Sequence, residues 1–238
     1  AAMSHFFIVS AHRARLVVHP RVNAFCGLCE AHRRLAASSA FGAGVGGPGE
    51  PLRKILPARF SQAPGARGSV ALKKVIGASV GTVVFDDLSK CDAMFFFGQN
   101  TGSNSPRFLH PLQEAAKRGV KIITFNPVRE RGLESFTNPQ SPVEMLAGKE
   151  TRISAQYHQV RPGGDIAVLL GLCKHVFAAD DAAKATGERV LDVDFIAQHT
   201  TGFETFEAKV RATPWTEIER ESGLSRADIE AAGQVYVE

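Results

Sequence analysis

Little in these 238 residues suits an oxidising compartment or a bilayer. There are four cysteines, and only Cys26 and Cys29 lie near each other in sequence. A small secreted scaffold needs a denser set of bridges, so a disulfide framework is excluded and a reducing compartment, the cytoplasm, is the expectation. No uninterrupted apolar run reaches the roughly 18 residues that a spanning helix needs, so no membrane is expected as a partner. The opening AAMSHFFIVSAHRARLVVHP is broken by His5, His12, Arg13 and Arg15 and lacks the ordered regions of a secretory signal. Aspartate is missing from residues 1–68, where Glu30 and Glu50 face nine Arg and Lys for a net of +7. The other 170 residues hold nineteen cations against twenty-two acids, a net of −3. The overall charge of +4 therefore belongs to one segment, which argues against a nucleic-acid-binding protein as a whole.

That first segment also contains a Gly/Ala/Pro/Arg-rich stretch from Ala36 to Arg67 with no helical or strand period. Residues 1–68 read as a poorly ordered segment or one translated out of frame, and a boundary is placed at 68. Translating the encoding DNA in all frames upstream of Ser69 tests the second reading: a Cys-His-type segment is expected in another frame, and its absence ends the idea.

From Ser69 onward the pattern is that of an α/β domain. DAMFFF (92–97) reads as a buried parallel strand, because both faces of such a strand are covered and its apolar residues run without alternation. Phe108, Leu109, Leu112, Ala115 and Ala116 recur at helical spacing, and Lys117-Arg118-Gly119 suits a helix C-terminus. VKIITF (120–125) is a second strand, closed by Asn126-Pro127. Strand, helix and strand make a right-handed βαβ unit. Residues 133–159 are weakly patterned. RPGGD (161–165) leads into an apolar helix from Ile166 to about Phe177. Helices are expected at 194–199, 204–211 and 225–236, the last opened by Ser225 and Asp228 at capping-box spacing. The fold class is α/β, a doubly wound and mainly parallel sheet with flanking helices, Rossmann-like, with a helical C-terminal part.

In such a sheet, ligands sit beyond the carboxyl ends of the strands. The loop Gly98-Gln99-Asn100-Thr101-Gly102-Ser103-Asn104 offers accessible amides, hydroxyls and side-chain amides ahead of a helix, a surface for pyrophosphate or ribose. Asn126-Pro127-Val128-Arg129 puts an amide side chain at the next strand end, with Arg129 and Arg131 suited to phosphate oxygens. Turn formation alone accounts equally well for these Asn and Gly residues.

Four blocks, in order, carry a resemblance. They are IGASVGTVVFDDLSKCDAMFFFGQNTGSNSPRFLHPLQEAAKRGVKIITFNPVRERG, RPGGDIAVLLGL, LDVDFIAQHTTGFETFEAKVR and GLSRADIEAAGQVY. Residues 69–238 resemble the formate-dehydrogenase-like branch of the DMSO reductase superfamily, which holds molybdenum or tungsten between two molybdopterin guanine dinucleotides. The resemblance implies that Gly98, Gln99, Asn100, Ser103 and Asn104 wrap the phosphates and ribose of one dinucleotide. The family's next strand end usually reads Asp-Pro-Arg and meets the guanosine. Here it is Asn126-Pro127-Val128, with Arg129 one place late. Gly163, Gly164 and Asp165 stand where the family touches the nucleotide again. The segment TTGFETF and the last helix correspond to packing. A small-molecule substrate would be met only in the complete enzyme.

The family's metal-ligating Cys, selenocysteine or Ser would fall near Pro64, where the sequence is Gln62-Ala63-Pro64-Gly65-Ala66-Arg67. No ligand stands there, and the later domains would begin after Glu238. Neither a catalytic residue nor a metal ligand is assigned, and an Fe–S cluster is left open. The expectation is a fragment that binds the guanine dinucleotide. The alternatives are a generic nucleotide-binding α/β protein, or a non-catalytic fragment whose basic segment binds nucleic acid or a partner.

Other signals are read as incidental. Cys26-Gly27-Leu28-Cys29, with His19 and His32, matches no common four-ligand zinc spacing. Gly42-Ala43-Gly44-Val45-Gly46-Gly47 has the letters of a dinucleotide fingerprint, but no strand precedes it and Pro48-Gly49 follows. Cys91 and Cys173 read as small core residues. His110 and His199 receive no role.

Overall fold

The computed structural model describes residues 5–9 and 88–238, which belong to one compact unit. The boundary at 68, the Cys-Gly-Leu-Cys and glycine motifs and the 62–67 segment lie outside the described residues.

Strand β1 (His5–Val9) pairs antiparallel with β2 (Ala93–Phe97). Strand β2 pairs in parallel with β3 (Lys121–Phe125), at the positions expected from the two apolar runs. Between them lie α1 (Thr101–Asn104), a 3-10 turn over Pro106–Phe108 and α2 (Leu109–Lys117). After β3 come α3 (Arg131–Glu134), β4 (Ser135–Phe136), α4 (Pro142–Ala147) and β5 (Thr151–Arg152). β4 and β5 form a separate antiparallel pair. β6 (Gln156–His158) then joins β3 in parallel, so the main sheet has the order β1-β2-β3-β6.

The fold is thus mixed α/β, with a small sheet of three parallel strands and one antiparallel neighbour. Among the described strands the parallel order advances in one direction only, from β2 through β3 to β6.

Every residue of β2 is buried, as is all of β3 after Lys121, because both faces of the sheet are covered. Met94, Phe96 and Ile122 meet Leu112 and Ala115 of α2 on one side. Phe95, Phe97, Ile123 and Phe125, on the other, are equally buried. Helix α2 stops at a left-handed glycine: Gly119, at φ 90°, donates to Ala116 O, and Val120 N donates to Ala115 O. This bonding satisfies carbonyls that the helix end would otherwise leave bare. Gln113 and Lys117 of α2 both donate to Glu144 of α4, at 2.8 and 2.7 Å. The Lys117 bond, with those from Asn138 N and Gln113, holds the Glu144 carboxyl at about 2.

The C-terminal part is helical. It comprises α5 (Asp165–Lys184), α6 (Val193–His199), α7 (Phe203–Ala212), α8 (Trp215–Ser222) and α9 (Arg226–Val237). Helix α5 runs seven residues beyond its expected end, and α8 was not expected. Ser225 opens α9 as foreseen, accepting from Asp228 N at 3.2 Å and donating to the Asp228 carboxylate at 2.6 Å. Lys174 on α5 donates to the carbonyls of Val210, Arg211 and Thr213, finishing α7. Burial lowers its affinity for the proton, aided by Arg211 and Arg226. Gly171 on α5 lies where a Cβ would stand 2.8 Å from Ile229 Cγ2 and 3.1 Å from Ile218 Cγ2, so α9 and α8 converge on it. Cys91 is buried, with its thiol donating to Leu88 O at 3.3 Å, and Cys173 is half-buried.

Candidate functional site

Phe97, Phe125 and His158 end their parallel strands side by side. Their rings stack in that order, with centroids 4.9 and 5.1 Å apart. The backbone leaving this edge supplies the residues singled out from the sequence. Gly98 turns the chain with a left-handed φ of 60° while its N–H still donates to Phe125 O at 2.9 Å. A side chain at that φ would be strained, which accounts for glycine there. Asn126, buried, donates its backbone N–H to His158 O at 3.0 Å. Its Nδ2 reaches back to Gln99 O at 3.4 Å.

Two further ties join the loop after β2 to the segment after β3. Asn100 Oδ1 accepts from Ser103 N at 3.0 Å, capping α1, which ends at Asn104. Its Nδ2 donates to Glu130 Oε2 at 2.7 Å. The backbones meet at Gly102 and Gly132, where a Cβ on Gly132 would lie 3.0 Å from Gly102 Cα and 3.1 Å from Gly102 N. Because backbone is what that Cβ would strike, Gly132→Ala is expected to push the two loops apart. A melting temperature lowered by roughly 3–8 °C checks it, taking 1–2 kcal/mol of overpacking.

Tyr157 of β6 holds the second segment from the other side. Its hydroxyl accepts from Glu130 N and donates to Val128 O, both at 2.9 Å. Burial raises the phenol above its usual range. Burial likewise lowers His158. Ser154 hydrogen-bonds Thr124 and Leu133 O inside the same unit.

Thr101 has no exposure, and among the described residues its hydroxyl is the buried side-chain polar atom with no hydrogen-bond partner. The N–H groups of Thr101 and Gly102 lie in the first turn of α1, so they have no acceptor within the helix. Arg129 donates to Glu134 Oε1 at 2.6 Å and lies 5.4 Å above the Tyr157 ring. Arg131 donates to Glu150 Oε1 at 2.6 Å.

Of the residues named from the sequence, Gly98, Gln99 and Asn100 leave β2 at the same strand ends from which Asn126 and Pro127 leave β3, and Ser103 and Asn104 follow within α1. Gly163, Gly164 and Asp165 lie after β6, at the start of α5. Gly163 has φ 87°, and a Cβ on Gly164 would stand 2.7 Å from Glu221 O and 2.9 Å from Ser222 Cα, so close packing on α8 demands glycine there. Gln159 Nε2, donating to Pro127 O at 3.4 Å, links the chain before this turn to the second loop. Sequence reasoning named Thr101 only as a member of the first loop and missed Glu130 and Tyr157. The signal for Glu130 was its place in the charged run Arg129-Glu130-Arg131, just past a strand end.

Among the described residues, no three His, Cys, Asp or Glu side chains come together to hold a metal ion, and no helix is long and apolar enough to cross a membrane.

The fold and this edge define a mixed α/β protein with paired loops at the carboxyl ends of parallel strands. No family model matches the chain. It is 45% identical over 169 residues to protein YdeP of Escherichia coli K12, covering 71% of this chain and 22% of that protein. It is 24% identical over 181 residues to formate dehydrogenase H of the same organism, covering 76% and 21%. It is 26% identical over 146 residues to the thiosulfate reductase molybdopterin-containing subunit PhsA of Salmonella typhimurium, covering 61% and 15%. The chain belongs to the molybdopterin proteins of the DMSO reductase superfamily. It spans about a fifth of the length of the curated relatives it matches.

Proposed function

We propose that residues 69–238 are a doubly wound, Rossmann-like domain that binds the guanine-dinucleotide arm of a molybdenum or tungsten pterin cofactor. The enzyme would be a cytoplasmic oxidoreductase holding two such dinucleotides. When bound, the cofactor supplies the redox chemistry, and the protein contributes binding, orientation and electrostatics. The small-molecule substrate would be met only with the remaining domains of such an enzyme in place.

The observation that carries this reading is the fastening of the two strand-end loops, through Asn100–Glu130 and the Gly102–Gly132 approach, around a buried Thr101 hydroxyl with no partner. Glycines and first-turn amides suit the close approach of a pyrophosphate, and strand-end loops of parallel sheets are where dinucleotides settle. The residues present therefore fit the nucleotide end of the cofactor. Gly98, Gln99, Asn100, Ser103 and Asn104 would face phosphates and ribose, and Asn126 and Pro127 the nucleoside. Arg129, exposed and paired with Glu134, would serve a phosphate oxygen, while Gly163, Gly164 and Asp165 would touch the nucleotide from the third loop. The metal end finds no ligand set among the described residues.

Two measurements on the purified full chain test the reading. Acid hydrolysis is expected to release GMP, with Mo or W found by inductively coupled plasma mass spectrometry. Calorimetric titration is expected to show GDP bound in preference to ATP. Failure to bind GDP and absence of GMP together would overturn the proposal. Preference for ATP would instead identify a generic nucleotide-binding protein.

A further inference from the structure

We infer that Glu130 is the residue that reads the nucleoside, accepting a pair of adjacent hydrogen-bond donors from it. The inference rests on the nucleotide-binding reading above and adds the specificity-determining group.

Three features single out this carboxylate. First, it is pre-positioned. Tyr157 Oη accepts from its backbone N–H at 2.9 Å, and its carbonyl accepts from Leu133 N at 2.9 Å and Glu134 N at 3.2 Å. Asn100 Nδ2 fixes Oε2 at 2.7 Å. A group held at backbone and side chain loses little freedom when a ligand arrives. Second, it retains capacity. A carboxylate has about four lone-pair sites, and Asn100 uses one of them. Among the described residues no cation pairs with Glu130, because its neighbours Arg129 and Arg131 are taken by Glu134 and Glu150. Third, it stands at the junction of the two loops, two residues before the Gly102–Gly132 approach and one hydrogen bond from the residue preceding the buried, unpartnered Thr101 hydroxyl.

A carboxylate with free lone pairs selects hydrogen-bond donors. In a nucleotide two groups present adjacent donors: the N1–H and N2–H edge of guanine, and the vicinal hydroxyls of ribose. Adenine offers no such edge, so a base contact would set guanine above adenine. A ribose contact would set ribose above deoxyribose.

The test uses the full chain, wild type and Glu130→Gln, titrated with GDP, inosine diphosphate and 2′,3′-dideoxy-GDP. Glutamine keeps an oxygen for Asn100 while removing the charge and half the acceptor capacity, so the fold is expected to persist, with an unliganded melting temperature within a few degrees. GDP affinity is expected to fall at least about tenfold, the scale of a charge-assisted hydrogen bond. Wild type should also discriminate against one analogue, and Glu130→Gln should lose that discrimination. Lost discrimination against inosine diphosphate places the contact on the base edge, and against the dideoxy analogue on the ribose. Equal GDP affinity in wild type and Glu130→Gln, or discrimination unchanged by the substitution, overturns the inference while leaving the nucleotide reading intact. Failure of wild type to bind GDP overturns both.

Discussion

Gly171→Val is expected to destabilise the protein by about 3 kcal/mol and lower its melting temperature by roughly 6–12 °C. In the middle of a helix, a change away from glycine ordinarily helps by less than about 1 kcal/mol. Here packing outweighs propensity. The first carbon added would stand 2.8 Å from Ile229 Cγ2, 3.1 Å from Ile218 Cγ2 and 3.3 Å from the Trp215 ring. Those atoms belong to two helices that approach α5 together, and Ile218 and Ile229 are almost wholly buried, so neither can yield without moving its helix. Thermal unfolding followed by circular dichroism checks the magnitude. Coupling checks the cause: Gly171→Ala combined with Ile229→Ala should cost less than the sum of the two alone, because the second removes the methyl that the first strikes. Strict additivity would assign the loss to something other than this contact.

Asp180→Ala is expected to cost about 2–4 kcal/mol, the penalty of two half-buried backbone donors left without their acceptor plus a lost charged contact. Asp180 has no exposure. It accepts from Val190 N and Leu191 N at 2.9 and 3.0 Å and from Arg189 Nε and Nη2 at 3.1 and 3.2 Å, and it pairs with Lys184 at 3.0 Å. Arg189 and Lys184 can turn to water, but the two amides cannot easily do so. Burial alone would raise the Asp180 carboxyl. The bonds from Leu191 N, Arg189, Lys184 and Val190 N outweigh it and hold the group at about 2, against an ordinary 3.8. A depressed carboxyl stabilises the fold fully above its unfolded value and loses that contribution as pH falls through the folded one. In urea titrations, the stability gap between wild type and Asp180→Ala should stay constant from pH 7 to 5. It should shrink by about 2 kcal/mol between pH 4 and pH 2. A gap unchanged at pH 2 would show that the charge contributes nothing.

Strands β2 and β3 were legible because they carry their signal locally. AMFFF and KIITF are continuous apolar runs, and the helix between them announces both its face and its glycine stop. The C-terminal helices were legible where a cap or an apolar stripe marked them. Helix α8 was missed because Trp215–Ser222 buries little besides Ile218 and Ser222, although Pro214 before it and Gly223 after it were signals. Strands β4, β5 and β6 have two or three residues each, too few for a period to show. The edge where the loops gather followed from strand direction alone. The partnerships within it did not: Arg129 and Arg131 looked available for phosphate, yet Glu134 and Glu150 hold them. Glu130 and Tyr157 are tied to residues 27 to 30 positions away, a distance over which no local pattern speaks.

Those same separations bear on how the loop pair can be carried. Asn126 meets Gln99 across 27 positions, Tyr157 meets Glu130 across 27, and Asn100 meets Glu130 across 30, as Thr124 meets Ser154. The entropy lost in closing a loop grows only slowly with its length, by about 0.6 kcal/mol per doubling, and depends on nothing outside the loop. Each closure is therefore set within one stretch of sequence from Gly98 to Tyr157. Extending the polypeptide on either side leaves that cost unchanged, and so the paired loops can be inherited as a module by chains of very different size.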